Sequence, residues 1–182
     1  MRNTLLAILL LTIISFLYSE GVEVVKEYRA LPTVKIKSLK GKNISSKKII
    51  KNKFTMISFW ATWCVPCLKE MKELDILHHK YKDETFQVVG ISIDDSKTSK
   101  KISTILKSKK ISYPVYLDPE QKFFGKFNSE SLPFSILVSP DGEILWEHSG
   151  YIPGDEKEIE AVIIDALDLG EPEPLDSTTV KN

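Results

Sequence analysis

Cys64 and Cys67 are the chain's two cysteines, and they stand in the run Phe59-Trp60-Ala61-Thr62-Trp63-Cys64-Val65-Pro66-Cys67. Three kinds of chemistry use a Cys-x-x-Cys pair: thiol-disulfide exchange, soft-metal binding and a structural cross-link. A zinc site needs four ligands, more than two thiolates supply. The histidines next in sequence are His78 and His79, and eleven helical residues would carry His78 about 16 Å along the axis from Cys67. A structural bridge over so short a loop constrains the unfolded chain little. A redox pair is the favoured reading, with a Cu(I)-carrying module as its rival; neither metal ligands nor a small-molecule cofactor are assigned.

The position of the pair carries more information than its spacing. Phe54 to Trp60 is apolar or β-favouring, as in a strand buried on both faces. After the cysteines, Leu68, Met71, Leu74, Leu77 and Tyr81 recur at helical spacing among lysines and acids. The pair therefore lies where a strand ends and a helix begins. There, unpaired N–H groups and the positive end of the helix dipole stabilise a thiolate at Cys64. Cys67, one turn along, is within disulfide reach and is the expected resolving thiol. Pro66 fits the first helical turn, where its missing N–H costs nothing. Trp60 and Trp63 are expected to shield the pair, and Trp63, Val65 and Pro66 to form an apolar surface for substrate.

The elements that position this site follow from the same patterns. A strand is expected at Thr33–Leu39 with a turn at Lys40-Gly41-Lys42-Asn43, then another strand at Phe86–Ile93. A lysine-rich helix follows, with Ile102, Ile105 and Leu106 inward. Tyr113–Leu117 reads as a strand and Pro119–Phe127 as a short helix. Ser135–Val138 and Glu143–Glu147 form a hairpin across Ser139-Pro140-Asp141-Gly142. Asp155–Leu167 is the last helix, with Ile159, Val162, Ile163 and Ala166 as its stripe. The alternation predicts an α/β fold, a mostly parallel sheet between helices closed by an antiparallel hairpin. His78 and His79 read as helix-surface residues, and His148 as a strand residue without catalytic work.

Arg2 followed by the apolar run Leu5–Leu17 reads as a secretory signal or N-terminal anchor over residues 1–21, implying export. Residues 22–167 form the expected domain. The acid- and Pro-rich stretch 168–182 reads as a disordered tail. Lys+Arg and Asp+Glu both number 25, a balance that argues against nucleic acid as a partner. The charges are nevertheless segregated, with eight lysines and no acid from Lys35 to Lys53.

The stretch around Trp63-Cys64-Val65-Pro66-Cys67 resembles the active site of the thioredoxin superfamily, more closely its exported TlpA/ResA/CcmG-type branch. Leu39-Lys40-Gly41-Lys42, Leu132-Pro133 and Asp141-Gly142 agree with that branch. The resemblance implies a thioredoxin-like fold, a central mixed sheet flanked by helices with an N-terminal β extension. It implies a cis bond at Leu132–Pro133, with Leu132 beside an extended substrate strand. It also points to Glu70, three residues after Cys67, as an acid that tunes the thiols, against the alternative of a solvent-facing helix carboxylate. Ser58 replaces a buried acid of cytoplasmic thioredoxins, and Lys72 replaces a helix-kinking proline. The partners implied are protein thiol or disulfide clients, apocytochrome c among them, and a membrane electron donor. The favoured expectation is a reductase of protein disulfides, with an oxidase or isomerase on the same scaffold as the alternative; the sequence itself does not fix the direction of electron flow.

Overall fold

The structure is a computed structural model that describes residues 28–82 and 84–168. The expected signal segment 1–21 and the tail from 169 onward lie outside the described residues.

Eight strands form one mixed sheet. They are β1 (Arg29–Ala30), β2 (Lys35–Ser38), β3 (Asn43–Ser45), β4 (Phe54–Trp60), β5 (Phe86–Ser92), β6 (Val115–Leu117), β7 (Phe134–Val138) and β8 (Glu143–Ser149). The helices are α1 (Ser46–Ile49), α2 (Val65–Lys80), α3 (Ile102–Lys109) and α4 (Asp155–Leu167). The spatial order is β1-β8-β7-β4-β5-β6-β2-β3. The apolar runs lie at the centre, where strands are covered on both faces: β4 pairs in parallel with β5 and antiparallel with β7. The hairpin of β2, which carries Lys35 and Lys37, and β3, which is uncharged, lies at one end of the sheet with β3 at the edge.

Alternation along β4 divides the core. Phe59 and its partner Phe134 face one side, where Phe123, Phe124 and Phe127 close around Phe59 with centroids 5.1–5.5 Å away. Ser58 and its partner Ser135 face the other side, toward α2, through contacts to Glu70. Helices α2 and α4 pack on one another. Met71, Leu74 and Leu77 supply the buried stripe of α2.

The segment expected as a helix at Pro119–Phe127 is instead a loop with one 3₁₀ turn at Phe124–Lys126. The buried Asp118 carboxylate accepts from the N–H groups of Phe123 and Phe124 at 3.0 and 2.9 Å, and Gln121 takes a φ of 52°. A side chain thus satisfies donors that an α-helix would have used. The turn after Leu39 does form, as the β2–β3 hairpin with Gly41 at φ 78°.

Candidate active site

Cys64 is the N-cap of α2 and is joined to Cys67 by a disulfide of 2.02 Å, with Cα atoms 5.3 Å apart. The Cys67 N–H donates to Cys64 Sγ at 3.2 Å, so a helix-start donor already points at the sulfur that would carry charge after reduction. Pro66 occupies the first turn as expected. Both cysteines are buried, though not equally: Cys64 keeps 5% of its surface and Cys67 none. Trp63 and Val65 flank Cys64 at 62% and 65% exposure, a large apolar presence for a surface site.

Trp60 departs from the sequence reading. It is fully buried as the last residue of β4, below the site, so the indole beside the disulfide at the surface belongs to Trp63 alone. Strand parity explains this: Trp60 shares the core-directed face of Ser58, whereas Trp63 lies in the loop beyond the sheet.

The loop between them is pinned from β5. The buried Asp94 carboxylate accepts from Thr62 N at 2.9 Å, Thr62 Oγ1 at 2.6 Å and Ser92 Oγ at 2.8 Å. Asp94 was absent from the sequence-based site; its place just after a buried strand is the signal that could have found it.

The Leu132–Pro133 bond is cis. Pro133 precedes Phe134, whose partner is Phe59, so the proline lies level with the end of β4 from which the cysteine loop departs. Its carbonyl accepts from Gly150 N at 2.7 Å, and Ile152, two residues on, is 69% exposed. Leu132 is half-buried. The cis-proline thus joins two segments to one end of the sheet, and Ile152 is an apolar neighbour that no local sequence pattern marked.

Glu70 is fully buried one turn after Cys67. Ser58 Oγ donates to its Oε2 at 2.7 Å and Ser135 Oγ to its Oε1 at 2.8 Å. Burial raises its pKa to about 7, while the two serine hydroxyls and the His148 charge oppose that rise and the Asp155 charge adds to it. The carboxyl is therefore able to hold or release a proton near neutrality. Of the histidines, His79 is exposed; His78 is half-buried and accepts from Val88 N at 3.3 Å.

With this geometry in hand, comparison with known proteins places the chain. A model of the Redoxin family matches residues 26–163. The chain belongs to the Redoxin family. This Redoxin is 31% identical over 114 residues to the thiol-disulfide oxidoreductase ResA of Bacillus cereus, covering 63% of this chain and 64% of that protein. It is 30% identical over 135 residues to ResA of Bacillus thuringiensis subsp. konkukian, covering 74% and 75%. The chain thus spans slightly under two thirds of the first of these relatives. A crystal structure of a thiol:disulfide interchange protein DsbE from Chlorobium tepidum superposes with a TM-score of 0.70 at 24% identity, over 78% of this chain and 98% of that one. That likeness establishes the thioredoxin-like fold of this Redoxin, with β2 and β3 as the N-terminal extension on its sheet.

Proposed function

We propose that this protein is an extracytoplasmic thiol-disulfide oxidoreductase that reduces disulfides in client proteins. The observation that carries this reading is the asymmetry of the pair: Cys64 keeps a small exposure between the exposed side chains of Trp63 and Val65, while Cys67 is fully buried one helical turn from a carboxyl whose pKa burial raises to about 7. The ResA relatives, named thiol-disulfide oxidoreductases, support the reaction class. The apolar run Leu5–Leu17 behind Arg2 supports export, with the segment serving as signal or anchor.

In the proposed cycle the Cys64 thiolate attacks a client disulfide. The client S–S bond breaks, a Cys64–client disulfide forms, and the displaced client sulfur takes a proton from solvent. Cys67 then gives its thiol proton to the Glu70 carboxylate and attacks Cys64 Sγ. The mixed disulfide breaks, the Cys64–Cys67 bond forms, and two electrons have passed to the client. A thiol donor at the membrane returns the pair to the reduced state. Trp63, Val65, Pro66, Leu132 and Pro133 are the proposed client contacts, which fit an extended segment around a cysteine.

The direction follows from what surrounds the sulfurs. A strong oxidant needs its reduced form stabilised. Here the dipeptide between the cysteines, Val65-Pro66, is uncharged, and the titratable group one turn beyond Cys67 is an acid rather than a cation. An anion there works against a second thiolate and favours the disulfide form. The client class is an exported protein with a cysteine pair, such as a c-type apocytochrome.

The test is the reduction potential of the Cys64–Cys67 couple, followed by Trp63 fluorescence in thiol/disulfide buffers. A value toward the thioredoxin end, about −270 mV, supports the reductase; a value toward −120 mV assigns an oxidase. In the same system Cys67→Ser accumulates a mixed disulfide with client and Cys64→Ser abolishes turnover. If the couple shows no reversible transition and the reduced protein takes up Cu(I), the redox reading fails.

A further inference from the structure

Directly beneath α2, one row of residues crosses the sheet in register: His148 on β8, Ser135 on β7, Ser58 on β4 and Gly90 on β5. Directly paired residues present their side chains on the same face. The serines of this row hold the Glu70 carboxyl, one on each oxygen. His148 is therefore the next side chain in the row beyond Ser135, at the border of the core, with about a quarter of its side chain exposed.

The outer side of His148 is acidic. Its Nε2 lies 3.4 Å from Asp155 Oδ2 and its Nδ1 lies 4.0 Å from Glu158 Oε1, both on α4. Trp146 stacks on the ring with centroids 5.4 Å apart and planes 7° from parallel, which fixes the orientation of the imidazole. On the inner side stands Glu70, and its other neighbours among the described residues carry no positive charge. They are the hydroxyls of Ser58 and Ser135, and the Tyr113 and Tyr151 side chains, both of which feel the Glu70 charge. Among the described groups that act on Glu70, His148 is the basic one and Asp155 the acidic one.

We propose that His148 is a positioning residue for the disulfide chemistry: placed next to Ser135 in this row, it adds to the serine hydroxyls in favouring the carboxylate form of Glu70, one helical turn from Cys67. Positive charge on His148 favours the Glu70 carboxylate. A carboxylate is the form that can take the Cys67 proton, so His148 and Glu70 together govern how fast the mixed disulfide resolves near neutral pH. This inference deepens the reductase reading and rests on it for its consequence, though not for the coupling itself.

The coupling is read first without turnover, on the full chain in its oxidised form. The protein has three histidines, so their C2-proton resonances are assignable. The expected result is a Glu70-linked inflection near pH 7 in the His148 signal that disappears in Glu70→Gln, while the exposed His79 signal is unaffected. A His148 signal identical in wild type and Glu70→Gln overturns the proposal. The second measurement is the pH profile of mixed-disulfide resolution by Cys67. In His148→Gln its lower inflection should move upward by roughly half a unit or more, with the high-pH plateau rate retained. An unmoved inflection overturns the proposal, and a uniform loss of rate at every pH would mark a merely structural role and overturn it too. If the His148 coupling is present but no client disulfide is reduced, the proposed function fails while the electrostatic pair stands.

Discussion

Asp94 holds Thr62 twice, taking its backbone N–H on one carboxylate oxygen and its hydroxyl on the other. Two residues before Cys64, this clamp sets where the loop leaves β4 and hence where α2 begins. Substituting Thr62→Val removes one donor and leaves a buried carboxylate oxygen without that partner. The expected cost is about 1–3 kcal/mol, read from urea melts of the oxidised protein. Because the loop also presents Cys64, dithiothreitol should reduce the variant's disulfide at a changed rate. A melt and a rate both equal to wild type would show that Thr62 Oγ1 contributes nothing to the loop.

Burial of Glu70 makes stability depend on pH in a direction opposite to that of an ordinary paired carboxylate. Its pKa rises from 4.5 to about 7 on folding. Between those values the unfolded chain has released the proton that the folded protein still holds. Stability from this group is therefore full below about pH 4.5 and falls as pH rises toward 7, by roughly 3 kcal/mol in all. Chemical denaturation at pH 5 and pH 8 should show the fall, superposed on the titration of other groups. Glu70→Gln should remove that component and be relatively more stable than wild type at the higher pH.

Ser58 and Ser135 counteract this burial, since their hydroxyls donate to the charged carboxylate. Ser58→Ala takes away the 2.7 Å bond and should push the Glu70 inflection further above 7. The penalty should be larger at pH 8, where the carboxylate loses a donor, than at pH 5, where the neutral acid loses less. A double-mutant cycle with Glu70→Gln isolates the pair: the coupling should be about 1–3 kcal/mol at pH 8 and smaller at pH 5. A coupling equal at both pH values would mean that Ser58 acts on packing rather than on charge.

The parts of this fold that were legible in sequence are those with strong periodicity. The apolar run Phe54–Trp60 became β4 without change of bounds, and the Asp141-Gly142 signal became the β7–β8 turn, with Gly142 at φ 91°. The helix after the cysteines was readable from Leu68 onward, because Val65 and Pro66 belong to a capping turn that has no apolar period. Side-chain contacts across the sheet were not readable. Glu70 lies on a helix whose neighbouring positions Lys69 and Lys72 are polar, so only the tertiary partners Ser58 and Ser135 show that it points inward. Asp118 likewise overrode the helical composition of Pro119–Phe127 through two backbone donors. In each case a buried polar group decided the local structure, and such a group has no sequence periodicity of its own.

Gly90 tests the tightness of packing at the far end of the same row. It pairs with Ser58 on one side and Val115 on the other. A Cβ there would lie 3.2 Å from each of Trp60 Nε1, Tyr113 Cε2 and Val115 Cγ2. Those three groups come from β4, from the turn before β6 and from β6 itself, so no single side chain can move aside to admit a methyl. Neither the Trp60 indole N–H nor the Tyr113 hydroxyl has a hydrogen-bond partner among the described residues, so packing alone sets where both rings lie. Gly90→Ala should therefore cost about 1–3 kcal/mol despite alanine's better backbone propensity. Displacing the Trp60 indole should also change its fluorescence in the oxidised protein. A variant as stable as wild type, with the same emission, would mean that the rings shift freely and that the row is less tightly packed than its contacts imply.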